Sequence, residues 1–224
     1  MLFTDRADAG KKLARRLLPL KEKKPVVLAL PRGGVPVAFE VAKALGAPLD
    51  LVLVRKIGVP FQEEYALGAI ADGAEPELVI DEGIRQSLNI PEDYVERAKA
   101  EALEEIERRR HIYLGGRAPI EVAGRTAIIV DDGIATGATM RAALRAVRRR
   151  NPARLVLAVP VAPPESLWRL RAEADETVCL HEPEYFAAVG QFYQDFRQTQ
   201  DDEVIALLAQ ADAAQAKPKS GSAP

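Results

Sequence analysis

The stretch TAIIVDDGIATGATM, residues 126–140, decides the reading of the fold. Its first five residues form an apolar run without polar alternation, which fits a strand covered on both faces, as in a parallel sheet flanked by helices. Two acids, Asp131 and Asp132, stand where that run ends, and small residues then lead into a helical pattern, MRAALRAVRRR. Burial does not account for paired acids at this point. In open α/β sheets, ligands gather at the carboxyl ends of the strands, where these acids fall.

Similar apolar runs occur at PVVLAL (25–30), LDLVLV (49–54) and RLVLAVPV (154–161), with a weaker one at ETVCL (176–180). Helical patterns lie between them at about 35–45, 138–150 and 164–173. This alternation predicts an α/β fold, a doubly wound and mostly parallel sheet flanked by helices. Ahead of it, residues 4–18 read as a helix capped by Thr4, with Ala7, Leu13, Ala14, Leu17 and Leu18 as its apolar stripe. Residues 91–114 read as a further helix, opened by Pro91 and carrying acid-to-base pairs such as Glu104 with Arg108 on a solvated face. The expected organisation is one domain over 1–210. It has a core at about 25–180, a helical insertion at about 81–118, a small hood from 181–203 to which the N-terminus can add, and a disordered low-complexity tail over 211–224.

Composition narrows the function. With 48% hydrophobic and 29% charged residues the chain sits in the ordinary globular class. The 31 basic and 33 acidic side chains nearly cancel, so no overall field draws the protein to nucleic acid or an anionic membrane. The single cysteine, Cys179, and two histidines leave too few soft ligands for structural zinc, and Cys179 reads as an inert thiol in an apolar strand. Charges at Asp5 and Arg6 interrupt any signal peptide, and no run approaches the roughly 18 apolar residues of a membrane span. The expected location is the cytoplasm.

GIATGAT sets Gly133, Gly137 and small side chains just before a helix. Backbone N–H groups at such a turn converge with the positive end of the helix dipole and make a phosphate site, to which Thr136 and Thr139 add hydroxyls. The spacing matches neither the Walker loop nor GxGxxG. Asp131 and Asp132 would repel a phosphate placed against them, so they suit neutral hydroxyls or a bound cation nearby. Vicinal hydroxyls beside a phosphate describe a ribose 5-phosphate. Paired acids at a strand end also occur in receiver-type phosphoacceptor domains, and the loop residues can simply turn the chain.

A second loop, PRGG (31–34), follows the strand at 25–30 and again precedes a helix. Gly33 and Gly34 let backbone amides approach an anion, and the Arg32 guanidinium can clamp phosphate oxygens. Farther on, Arg55 and Lys56 precede Gly58 and Pro60 after the second apolar run.

IIVDDGIATGAT resembles the phosphoribosyl pyrophosphate (PRPP) signature of the type I phosphoribosyltransferases, and PRGG resembles that family's pyrophosphate loop. The resemblance implies a type I phosphoribosyltransferase-like core. Asp131 and Asp132 would hold the ribose 2- and 3-hydroxyls and stand by Mg2+, directly or through water. Ala135, Thr136, Gly137, Ala138 and Thr139 would wrap the 5-phosphate, while Arg32, Gly33 and Gly34 would take pyrophosphate. Family members often have a cis non-proline peptide in the pyrophosphate loop, here Pro31–Arg32 or Arg32–Gly33. They also have a flexible catalytic loop where Lys56 lies, which makes Lys56 either a transition-state contact, catalytic beside Arg32, or an ordinary exposed lysine.

The implied reaction is Mg2+-dependent transfer of 5-phosphoribosyl from PRPP to a nitrogenous base, and the alternative is a PRPP- or nucleotide-sensing module that does not catalyse. The partners implied are PRPP and a base, with no membrane or nucleic acid, and a homodimer is left open. Base recognition would come from the hood, where Phe186, Phe192 and Tyr193 either stack on the base or pack internally. Some members carry an acid where this chain has Ala135, and 6-oxopurine enzymes carry a lysine on the strand that here reads RLVLAVPVAPP. Without the acid, the base must be deprotonated by another group or need no such help, and the missing lysine weighs against a guanine or hypoxanthine substrate. Arg141, Arg145, Arg148, Arg149 and Arg150 suit a helix C-terminus, where the dipole favours cations.

Overall fold

A computed structural model describes residues 2–73 and 76–216. In chain order the elements begin with α1 (Arg6–Leu17), β1 (Val26–Ala29), α2 (Gly34–Leu45) and β2 (Leu49–Leu51). A second group follows: β3 (Val54–Val59), β4 (Gln62–Ala71), β5 (Glu77–Ile80), α3 (Glu82–Ser87) and α4 (Glu92–Leu114). The chain closes with β6 (Thr126–Val130), α5 (Ala138–Arg148), β7 (Arg154–Val161), α6 (Pro164–Leu170), β8 (Glu176–His181) and α7 (Asp201–Ala216).

Five of these strands form a parallel sheet in the order β2-β1-β6-β7-β8. The uninterrupted apolar runs are buried along their length in β1 and β6, and in β7 from Leu155 onward. Helices α1, α2 and α7 cover one face, packing Leu13, Val41 and Leu208 against Val27, Ala29, Ile128 and Val130. Helices α5 and α6 cover the other, with Leu144 and Leu167 against Leu28, Ile129 and Leu157. The adjacent strands β1 and β6 therefore send their helices to opposite faces. A crevice opens between their carboxyl ends, the usual ligand position in a doubly wound sheet.

Several expectations are corrected. The run at 49–54 is not one strand. β2 ends at Leu51, and Val54 begins a separate antiparallel sheet, β3-β4-β5. Ala69, Ala71 and Val79 of that sheet pack on Ala142 and Ala146 of α5, small side chains that permit close contact. The cap of α1 is Asp5 rather than Thr4, its Oδ1 accepting from the Asp8 amide at 2.7 Å. α7 runs on to Ala216 with Ala211 buried, so the expected disorder does not begin at residue 211; residues 217–224 lie outside the described ones. The stretch expected to be helical at 81–118 does contain α3 and α4, and Val95, Ala102 and Ile106 of the expected apolar face join the main core.

Candidate active site

Two turns meet in the crevice. The first, Pro31–Gly33, joins β1 to α2 and contains a cis peptide between Pro31 and Arg32. The second, Asp131–Gly137, joins β6 to α5. Gly33 has helical φ, so the residue serves space rather than backbone freedom: a Cβ built there would lie 2.0 Å from Asp132 Oδ2. At Gly34 a Cβ would lie 2.8 Å from the Val130 carbonyl oxygen and 2.9 Å from Asp131 Cα. The acid pair and the arginine–glycine turn are thus in direct contact.

The second turn is built from both ends. Ile134 N donates to Val161 O at 2.9 Å, and Ser166 Oγ donates to Ala135 O, tying the loop to β7 and α6. Gly137 adopts φ +85°, a left-handed conformation that bends the chain into α5 and leaves the first amides of that helix without intrahelical partners. Ala135 and Thr136 are exposed at the rim, while Ala138 and Thr139 are half-buried.

Asp131 Oδ1 accepts from the Asp132 amide at 2.8 Å. Burial, then the charge of Asp132, pushes the Asp131 carboxyl well above the usual range. Asp132 is also raised by burial, although Arg6 opposes the shift through an ion pair at 2.7 Å. The Arg6 guanidinium lies 3.9 Å from the Phe196 ring centroid and donates to Arg197 O at 2.7 Å. Tyr193 donates its hydroxyl to Asp132 O at 2.5 Å. The N-terminal helix and the 193–197 segment therefore converge on one acid.

Among the described residues, no group of three or more His, Cys, Asp or Glu side chains is arranged to hold a metal. The acid pair nevertheless fits magnesium, which takes one or two carboxylates and completes its shell with water and phosphate oxygens. A desolvated, mutually repelling pair also favours a cation beside it.

Other expected residues fall as follows. Arg32 Nη1 lies 3.3 Å from Asp201 Oδ1. Lys56 is exposed on β3 and lines a cleft of about 510 Å³ whose wall also includes Pro31, Thr139, Tyr94 and Arg109, so it faces both turns. Phe192 and Tyr193 are buried, Phe192 stacked against Phe186 and Tyr193 tilted against Phe3 and Phe196. Their packing leaves these two rings no open face for a base, which corrects the stacking alternative; Phe186 remains half-buried. Val189 of the same segment packs over Gly133, where a Cβ would meet its Cγ1 at 2.5 Å. Cys179 is pushed up to about 11 by burial, in keeping with an inert thiol. Arg145, Arg148 and Arg149 pair with Glu173, Asp175 and Glu77, so this cluster is largely neutralised. No helix among the described residues is long and apolar enough to cross a membrane.

Residues 4–197 match the family model described as the phosphoribosyl transferase domain. The chain belongs to this family. A Mycobacterium tuberculosis (strain H37Rv) protein, named provisionally as a phosphoribosyl transferase, is 50% identical over 210 residues, 94% of this chain and 47% of its own length. The chain thus spans about half the length of the curated relatives it matches most fully. The Bifunctional protein PyrR of Chloroflexus aurantiacus is 36% identical over 131 residues, 57% of this chain and 65% of its own. The crystal structure of TT1426 from Thermus thermophilus superposes with a TM-score of 0.79 at 46% identity, covering 94% of this chain and 99% of that one.

Arg6 had no signal in its own neighbourhood, since 126 positions separate it from Asp132. The same holds for Asp201 of α7, which pairs with Arg32, and for Tyr113 of α4, which donates its hydroxyl to Asp201.

Proposed function

We propose that the chain transfers the 5-phosphoribosyl group of PRPP to a nitrogenous base in the cytoplasm, releasing pyrophosphate in a Mg2+-dependent reaction. The observation that carries this reading is the contact between the two turns, with Gly33 and Gly34 set against Asp132 and Asp131. That spacing suits one ligand carrying phosphate at both ends and hydroxyls between.

In this reading the amides at Ala135–Thr139 bind the 5-phosphate with the positive end of α5. Asp131 and Asp132 accept hydrogen bonds from the ribose 2- and 3-hydroxyls, which orients the sugar ring. Arg32 and the Gly33 amide stabilise the negative charge that grows on departing pyrophosphate, a contribution typically worth about 100-fold in rate per donor, while Gly34, whose amide donates to Leu30 O at 3.0 Å, gives the turn its close approach to Asp131. Lys56 adds a cation from the β3 side. Magnesium, held beside the acid pair, would supply further charge neutralisation for the phosphate oxygens.

With alanine at position 135, the incoming base meets no acid from this loop, so it must react without proton removal there. Because Phe192 and Tyr193 face inward, recognition falls to Phe186 and to polar groups. A cleft of about 570 Å³ lined by Arg6, Arg197, Gln198 and Gln200 offers hydrogen-bonding groups, and Arg6 in its wall pairs with Asp132.

The alternative, a sensor that binds PRPP without turning it over, draws on Arg6, whose guanidinium already engages Asp132 Oδ2. Incubation with PRPP, Mg2+ and a panel of purine and pyrimidine bases, read by pyrophosphate release, separates the two. Release with one base, lost in the Asp132→Asn variant, supports transfer. PRPP binding with no release across the panel supports sensing, and no PRPP binding overturns both.

A further inference from the structure

Arg32 approaches Asp201 Oδ1 through a single nitrogen, Nη1, at 3.3 Å. The same carboxylate oxygen accepts a 2.6 Å hydrogen bond from the Tyr113 hydroxyl. Three distant parts of the chain meet here: the turn after β1, the last turn of α4 and the first residue of α7. Tyr113 is buried in the main core, so packing sets the position of its hydroxyl. The Tyr113 hydrogen bond, followed by that of Arg32 and the Arg32 and Arg109 charges, outweighs burial and holds the Asp201 carboxyl below the usual range. Burial and the Asp201 contact push Tyr113 up to about 12. At neutral pH the group is therefore a phenol, a carboxylate and a guanidinium in series.

We infer that Asp201 and Tyr113 are positioning residues for the pyrophosphate turn. They hold one corner of the Arg32 guanidinium and leave its remaining N–H donors for phosphate oxygens. A guanidinium carries five such donors, and the contact with Asp201 uses one. A bidentate pair would instead have occupied a whole edge of the fork and competed with the ligand. The long, single-nitrogen geometry argues for orientation over blockade. Restricting the arginine before binding also spares the ligand the entropic cost of ordering a long side chain.

This inference rests on the assignment of Arg32 to pyrophosphate, and calorimetric titration can separate the two. Wild type, Asp201→Asn, Tyr113→Phe, Arg32→Ala and the Arg32→Ala/Asp201→Asn double variant are titrated with Mg2+ and, in turn, PRPP, inorganic pyrophosphate and ribose 5-phosphate. Thermal melting checks each fold. Asp201→Asn is expected to weaken PRPP and pyrophosphate binding by about tenfold, the scale of one misdirected charged hydrogen bond, and Tyr113→Phe by about threefold. Ribose 5-phosphate affinity should not change, because that ligand does not reach Arg32. In the Arg32→Ala background, Asp201→Asn should add nothing.

Unchanged or tighter PRPP binding by Asp201→Asn overturns the inference while leaving the proposed function standing. So does an equal loss for ribose 5-phosphate, or a tenfold loss that persists without Arg32. A wild-type protein that binds neither PRPP nor pyrophosphate removes both.

Discussion

Replacing Gly33 with alanine tests the contact between the two turns directly. The added Cβ would lie 2.0 Å from Asp132 Oδ2, 2.7 Å from its Cγ and 3.3 Å from Arg6 Nε. Aspartate is too short to swing clear while keeping its 2.7 Å pair with Arg6, so either the pair breaks or the turn moves. Overpacking of this kind costs about 1–3 kcal/mol, and loss of a charged hydrogen bond about 1.5–3 kcal/mol. Because the two costs share one displacement, the combined loss should be about 2–4 kcal/mol. For a chain of this size that corresponds to a fall in Tm of about 5–15 °C. Gly116→Ala serves as the control, since nothing lies within 4 Å of its Cβ and its backbone is not left-handed. The assay is thermal unfolding of both variants, with PRPP titration at a temperature where each is folded. Gly33→Ala should lose at least tenfold in PRPP affinity as Asp132 is displaced. If it melts and binds as wild type does, the turns are not in contact and the case for a shared ligand fails.

Two further outcomes follow from buried carboxyls. Asp131→Asn removes a charge that burial and Asp132 disfavour while keeping an oxygen to accept from the Asp132 amide; it should raise Tm by about 2–4 °C yet bind PRPP at least tenfold more weakly. A lower Tm would refute this account. Asp72, between the Leu53 amide and Arg110, is pushed up to about 6 by burial against an ordinary 3.8. The native state therefore holds a proton that the unfolded chain releases. The stability from this group is present in full below about pH 4 and is lost as pH rises through 6, with a ceiling of about 3 kcal/mol for roughly two pH units. Denaturant unfolding between pH 4 and 7 should show Asp72→Asn gaining on wild type over that window and holding level above it. A parallel pair of curves would refute the shift.

The elements legible in the sequence were those whose signal is local. TAIIV and RLVLAVPV end where β6 and β7 end, because strands covered on both faces leave no polar alternation to blur them. The turn into α5 was legible for a similar reason, since Gly137 supplies the positive φ that the bend needs. The antiparallel sheet was not. Its long strand, β4, is closed by Ala69 and Ala71, whose fit against α5 is a property of the partner helix rather than of the strand. Phe192 and Tyr193 were ambiguous because the same aromatic spacing serves stacking and packing, and only the position of Phe3 and Phe196 decides between them. Arg6 and Tyr113 lie on helices that read as ordinary amphipathic surface, Asp201 opens a helix where the sequence suggested only the end of the hood, and the roles of all three arise where distant segments cross.

Phe3 pairs with Tyr193 in an isolated bridge, and Leu2 and Phe3 donate their amides to Phe192 O. Polypeptide fused ahead of Leu2 would thus emerge alongside the segment that supports Asp132. α7 begins at Asp201 beside Arg32, and the Arg117 guanidinium ties Asp212 of that helix to Asp50 in β2. Its 16 residues carry the backbone about 24 Å along the body. A handle attached after α7 is therefore separated from Arg32 by the full length of that helix, whereas one placed ahead of Leu2 starts beside the segment that packs on Asp132.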